Sequence, residues 1–199
     1  MGLSIINRGT DNVISYAERD EATLNGTITI SGNGNHVAIG PRTVANNIRV
    51  TLGSNCKLQI GSDCVLGALI IHAAKNAELI VGKTTGFNGR VSLLMHEPGR
   101  LAIGSGCLLA AEVEISISDM HSIVDIASGK RINPARDVVL EDRVWIGQRA
   151  LVLKGAHIET GSIIGAGAVV SGRIAAHSLA VGVPAKVIRT GVTWDHRLL

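Results

Sequence analysis

From Leu140 to Ala175 the chain reads LEDRVW IGQRAL VLKGAH IETGSI IGAGAV VSGRIA. Every sixth residue is aliphatic: Leu140, Ile146, Val152, Ile158, Ile164 and Val170. The fifth residue of each block is small or branched: Val144, Ala150, Ala156, Ser162, Ala168 and Ile174. With Leu, Ile and Val near 30% of the chain, six aliphatic hits in fixed phase arise by chance about once in a thousand. The ruling period is therefore six, and neither 3.6 nor 2. A period of six predicts a short strand plus a corner, with three such units closing one triangular turn. Stacked turns make parallel sheets about 4.8 Å apart. The aliphatic residue fills the interior, and the small residue follows where space is least.

The same signal runs back through the chain more loosely. VAIG (Val37–Gly40), LQIG (Leu58–Gly61), LIVG (Leu79–Gly82) and LAIG (Leu101–Gly104) recur at spacings of 21, 21 and 22 residues. VWIG (Val144–Gly147) and SIIG (Ser162–Gly165) are 18 apart, which is three hexads. Spacings of 21 and 22 are turns with small corner insertions. Glycine after the aliphatic position predicts corners with dihedrals that other residues avoid. Cys56, Cys64 and Cys107 each lie four residues after an aliphatic one, in the slot of the small residue, and are expected to be buried thiols.

Composition agrees with a narrow repeating core. The chain has 199 residues, 46% hydrophobic but only 2% aromatic. Its core must come from Leu, Ile, Val and Ala, as in solenoids. Net charge is +3, too weak a bias for a nucleic-acid groove, and base-stacking aromatics are scarce. The longest apolar run, Leu66 to Ala74, is far below the ~20 residues of a membrane span. The opening MGLSIINRGTDN is polar too early for a signal peptide, so a cytoplasmic location is expected.

The repeat breaks between Ile117 and Val138, where SDMHSIVDIASGKRINPARD reads as a loop leaving the coil. Loops on rigid scaffolds carry chemistry, and this one carries Asp119 and His121. Trp145 follows the interior residue Val144 and is expected to face outward. His72, His96 and His121 recur about 24 residues apart and are placed to stack on one side; the first two are read as surface residues.

These features resemble the hexapeptide-repeat acyltransferases over about Gly26 to Arg189, and among them the sugar and polysaccharide O-acetyltransferases. The carriers are Ser118-Asp119-Met120-His121, the loop residues Gly129–Asn133, Val144-Trp145-Ile146-Gly147, and the ending AVGVPAKVIR (Ala180–Arg189). The resemblance implies an all-β, left-handed parallel β-helix over residues 26–189. An N-terminal segment (1–25), a protruding loop (118–137) and a tail (190–199) complete the chain. In the tail, Trp194 is expected to anchor against a coil face. The resemblance also implies a homotrimer with active sites between neighbouring prisms, acetyl-CoA as donor, and a sugar or polysaccharide acceptor. His121 is then the base, and a metal is not expected. Asp119 is a candidate to orient the imidazole, to bind the acceptor sugar, or only to cap a turn. Gly147 and Ala166 are candidates for approach of the pantetheine arm, Lys186 and Arg189 for its phosphates, and Trp145 and Asn88 for the acceptor.

Base chemistry suits this assignment. A sugar hydroxyl is a weak nucleophile until its proton is removed, and imidazole titrates near neutrality. A γ-type carbonic anhydrase has the same prism but requires close histidine pairs, which this sequence lacks. A serine acetyltransferase carries a long helical N-terminal domain. A nucleotide-sugar N-acetyltransferase and a catalytically silent scaffold remain the alternatives.

Overall fold

A computed structural model describes residues 2–17 and 23–199. All its regular elements are strands, and all but the last pairing are parallel, apart from one isolated bridge in the loop. The parallel β-helix expected from the hexads is the fold. Three faces repeat around it. The first stacks Gly86–Phe87, Leu108–Leu109, Trp145–Ile146, Ile163–Ile164 and Ser178–Val181. The second stacks Val91–Met95, Val113–Ser116, Leu151–Val152 and Val169–Val170. The third runs from Val13–Ser15 to Arg173–Ile174. The eleven-residue strand Val65–Lys75 bends from the first face onto the second, pairing with Gly86–Phe87 and then with Val91–Met95.

The hexads set the register. Leu140 pairs with Ile158 on the third face, Ile146 with Ile164 on the first, and Val152 with Val170 on the second. All six are at most 1% exposed. Each burial stabilises the coil by about 1.5–3 kcal/mol. The strand backbones satisfy one another along the stack, and among the described residues every buried side-chain polar atom has a hydrogen-bond partner.

One column of small residues has a further task. Thr43, Cys64, Thr85, Cys107 and Ser162 stack at one corner and are all buried. Each donates to a carbonyl of the next coil: Thr43 Oγ1 to Gly61 at 2.9 Å, Cys64 Sγ to Gly82 at 3.3 Å, Thr85 Oγ1 to Gly104 at 2.9 Å. Cys107 Sγ to Glu141 at 3.1 Å and Ser162 Oγ to Ala175 at 2.9 Å continue the series. The thiols thus replace hydroxyls as corner donors. Burial pushes the Cys107 thiol up to about 11, so it stays protonated.

Two expectations change. The glycines after the aliphatic position do not have positive φ. A Cβ at Gly61 would lie 2.5 Å from the Lys83 nitrogen, and one at Gly147 2.6 Å from the Ala166 nitrogen. Close stacking of coils, not dihedral freedom, selects glycine there. The left-handed corner falls two residues later, on Arg42, Asp63, Thr84 and Gly106, with φ of 55–65°. The coil also begins before residue 26. Leu3–Asn7 pairs in parallel with Gly26–Ile30, and Val13–Ser15 with His36–Ala38. Much of the 1–25 segment is therefore a first turn; Met1 and residues 18–22 lie outside the described residues.

Candidate active site

The loop leaves the coil after Ser116, at the corner between the second and third faces, and rejoins it at Val138. Its side chains are mostly exposed, His121 and Asp119 among them. Ser118 and Asn133 are the loop's buried polar residues, at 5% and 7% exposure. Ser118 Oγ donates to Glu97 at 2.5 Å and accepts from the Met120 amide at 3.0 Å. Arg131 forms a two-pronged pair with Glu97 at 2.6 and 2.7 Å. Arg131 and Ser118 hold the Glu97 carboxyl down to about 2.

Asp119 makes contacts other than with the imidazole. Its carboxylate accepts from Lys154 Nζ at 2.5 Å and Asn133 Nδ2 at 2.7 Å, and no hydrogen bond joins it to the His121 imidazole. Lys154, then Asn133, hold its carboxyl below the usual range. Asp119 therefore braces the loop, and the imidazole projects from a backbone fixed by others. Sequence reading missed Asn133, Lys154, Glu97 and Arg131. Their partners lie up to 35 residues away, at distances that no short motif encodes.

A separate groove of about 460 Å³ lies on the first face and its corner with the second. Trp145, Gly147, Ile163, Ala166 and Leu179 are among its walls, and its lining is almost wholly apolar. Trp145 faces outward, 38% exposed. Three residues singled out from sequence, Trp145, Gly147 and Ala166, are thus brought together. Lys186 and Arg189 are exposed on Lys186–Thr190, which pairs antiparallel with Ser178–Val181. Arg189 stands opposite the groove residue Leu179, and Lys186 opposite Val181. Among the described residues neither cation makes an ion pair. No residue of 118–137 lines the groove; the width of the second face separates it from the loop.

Asn88 is exposed two coils above Gly147 on the same column, its amide donating to Leu109 just as Gly147 donates to Ile164. It borders a pocket with Thr84, Leu108 and His196. The tail brings His196 there, because Trp194 is anchored as expected. Trp194 is 6% exposed, its Nε1 donates to the Arg143 carbonyl at 2.6 Å, and its ring lies 6.2 Å from that of Trp145. His72 and His96 stack on one side, but they are not the fully exposed surface residues expected. They are half-buried with ring centroids 4.4 Å apart. Burial, then the neighbouring His72, lowers the His96 imidazole below its usual value.

Among the described residues no cluster of metal-ligating side chains is present, and no helix is long and apolar enough to cross a membrane. The family model of the bacterial transferase hexapeptide (six repeats) matches residues 137–172. The polysialic acid O-acetyltransferase of Neisseria meningitidis is 36% identical over 152 residues, 74% of this chain and 68% of that protein. That of Escherichia coli O1:K1 / APEC is 30% identical over 124 residues, 62% of this chain and 40% of its own length. The solved structure of the polysialic acid O-acetyltransferase OatWY superposes with a TM-score of 0.89 at 27% identity, covering 98% of this chain and 92% of that one. The stacked hexads, the loop that interrupts them and these likenesses agree: the chain belongs to the hexapeptide-repeat transferase family and is an acyltransferase.

Proposed function

We propose that the protein transfers an acetyl group from acetyl-CoA to a hydroxyl of a polysaccharide, with His121 as general base. The observation that carries this is an imidazole exposed on a braced loop, free of any side-chain hydrogen bond among the described residues. Such a group is available to a substrate hydroxyl. The names of the relatives support a polysaccharide acceptor and O-acetylation. The apolar groove fits the pantetheine arm, since Gly147 and Ala166 leave its floor low. Lys186 and Arg189 at its rim suit phosphates.

In this mechanism His121 takes the hydroxyl proton as the oxygen attacks the thioester carbon. The carbon–sulfur bond breaks, and the proton held on His121 passes to the departing thiolate. A single chain keeps loop and groove apart. The account therefore includes the trimer, in which the loop of one prism meets the groove of the next.

The test is release of free CoA thiol from acetyl-CoA across a panel of polysialic acid, neutral polysaccharides, simple sugars and nucleotide sugars. Turnover with a polysaccharide, and O-linked acetyl on the product, is expected. Turnover confined to an amino-bearing nucleotide sugar would replace this function with N-acetylation.

A further inference from the structure

We propose that Asn133, tied to the next coil by Lys154, is the positioning residue that fixes the His121 backbone; this rests on His121 being the base. Asn133 uses its whole hydrogen-bonding capacity within the loop. Its Nδ2 donates to Asp119 Oδ2 at 2.7 Å and to the His121 carbonyl at 2.8 Å. Its Oδ1 accepts from the Ile123 amide at 2.7 Å and Arg131 Nε at 3.2 Å. One side chain thus grips residues 119, 121 and 123, on both sides of the base and at it. Its own carbonyl accepts from Lys154 Nζ and Arg131 Nη2, each at 3.0 Å.

The turn being gripped is strained. Met120 has φ of +62°, and the His121 amide donates to the Asp119 carbonyl at 2.7 Å. A bulky residue in this conformation costs about 1–3 kcal/mol and persists only where its surroundings over-determine it. The loop has no apolar core to do that: Ile126 is fully exposed and Met120, Ile123 and Val124 are at least 50% exposed. Polar contacts must hold the turn. They reach the coil before the loop through Glu97 and the coil after it through Lys154. A base held only by its own loop backbone would wander, and a misplacement of 1 Å can cost about 10²-fold in rate.

The test compares Asn133→Ala, Lys154→Met and Lys154→Arg with His121→Ala in the full-length protein. Acetyl-CoA and polysialic acid are the substrates. Asn133→Ala is expected to lower kcat about 10- to 100-fold with the KM for acetyl-CoA within about twofold. Lys154→Met is expected to lose less, and Lys154→Arg to recover most of that loss. Adding Asn133→Ala to His121→Ala is expected to cost nothing further, since the clamp acts through the base.

A second arm needs no acceptor. Carbon-13 imidazole NMR, with the His121 signal assigned by its loss in His121→Ala, is expected to show one dispersed position in the unaltered protein. In Asn133→Ala the signal is expected to move to the position of a solvated histidine. An unmoved signal in a folded Asn133→Ala or Lys154→Met protein would overturn the proposal. So would unchanged kcat in both variants. A fully active His121→Ala overturns the base assignment instead, so the two failures are told apart.

Discussion

Residues 138–181 and residues 118–137 are neighbours in the chain but obey different rules. In the coils a side chain's direction follows from its place in a six-residue unit, and burial holds it: Ile146, Val152 and Ile164 are all 0% exposed. In the loop direction follows from a web of polar side chains, with Asn133 at its centre and exposed apolar residues around it. The groove belongs to the first kind of structure and the proposed base to the second. Stability and catalysis should therefore respond to different substitutions.

The largest effect is expected at the base. His121→Ala should lower kcat by about 10²- to 10⁴-fold, the factor a placed general base contributes. Its melting temperature should stay near that of the unaltered protein, because His121 buries nothing. The coils should show the reverse: Ile146→Ala should destabilise by about 2–5 kcal/mol through lost burial and a cavity. Denaturant unfolding measures this, and Ile126→Ser, on the loop, should stay within about 0.5 kcal/mol. A loop substitution that melted the coils would break the comparison.

Smaller effects sharpen it. Ala166→Trp should fill the groove and raise the KM for acetyl-CoA about tenfold, equal to 1.4 kcal/mol of binding, with little change in melting. Acid should act on the loop, whose turn is held by polar contacts without an apolar core. The Glu97 carboxyl is lower in the folded protein, about 2, than its ordinary 4.5. Its contribution is complete above the ordinary value and is lost as pH falls toward the folded one. Asp119, held low by Lys154 and Asn133, pushes the same way. Acidification from about pH 4.5 should loosen the loop by hydrogen exchange while coil amides stay protected. Lys186→Ala should change least, raising the KM for acetyl-CoA with kcat nearly unchanged, since phosphate contacts are alike in ground and transition states.

The division also explains what the sequence made legible. The hexads were readable because the interior positions of the stacked turns are filled almost entirely by aliphatic side chains, turn after turn, with Phe87 an aromatic exception. The groove was partly readable: Trp145, Gly147 and Ala166 are fixed by their places in the repeat. The first turn was obscured, since Leu3 and Ile5 find Gly26 and Ile28 across a step of 23 residues with no hexad to mark it. The loop showed its histidine but not its bracing. Asn133 reaches 10, 12 and 14 residues back, and Lys154 reaches 35, so no period reports them. Asp119 looked like a partner of His121 because they are two apart; the strained turn at Met120 and the Lys154 ammonium send its carboxylate elsewhere.

The central claim is that the base and the groove meet only between copies of the chain. Mixing two impaired variants, His121→Ala and the groove-blocked Ala166→Trp/Gln148→Trp, both at exposed groove residues, tests it most directly, after dissociation and reassembly into mixed trimers verified by native mass spectrometry and assayed at acetyl-CoA far below the KM of the blocked variant. The account predicts that activity returns, because an intact loop of one variant then faces an intact groove of the other. Mixed trimers that stay as impaired as the separate variants would contradict it and place the whole site within one chain.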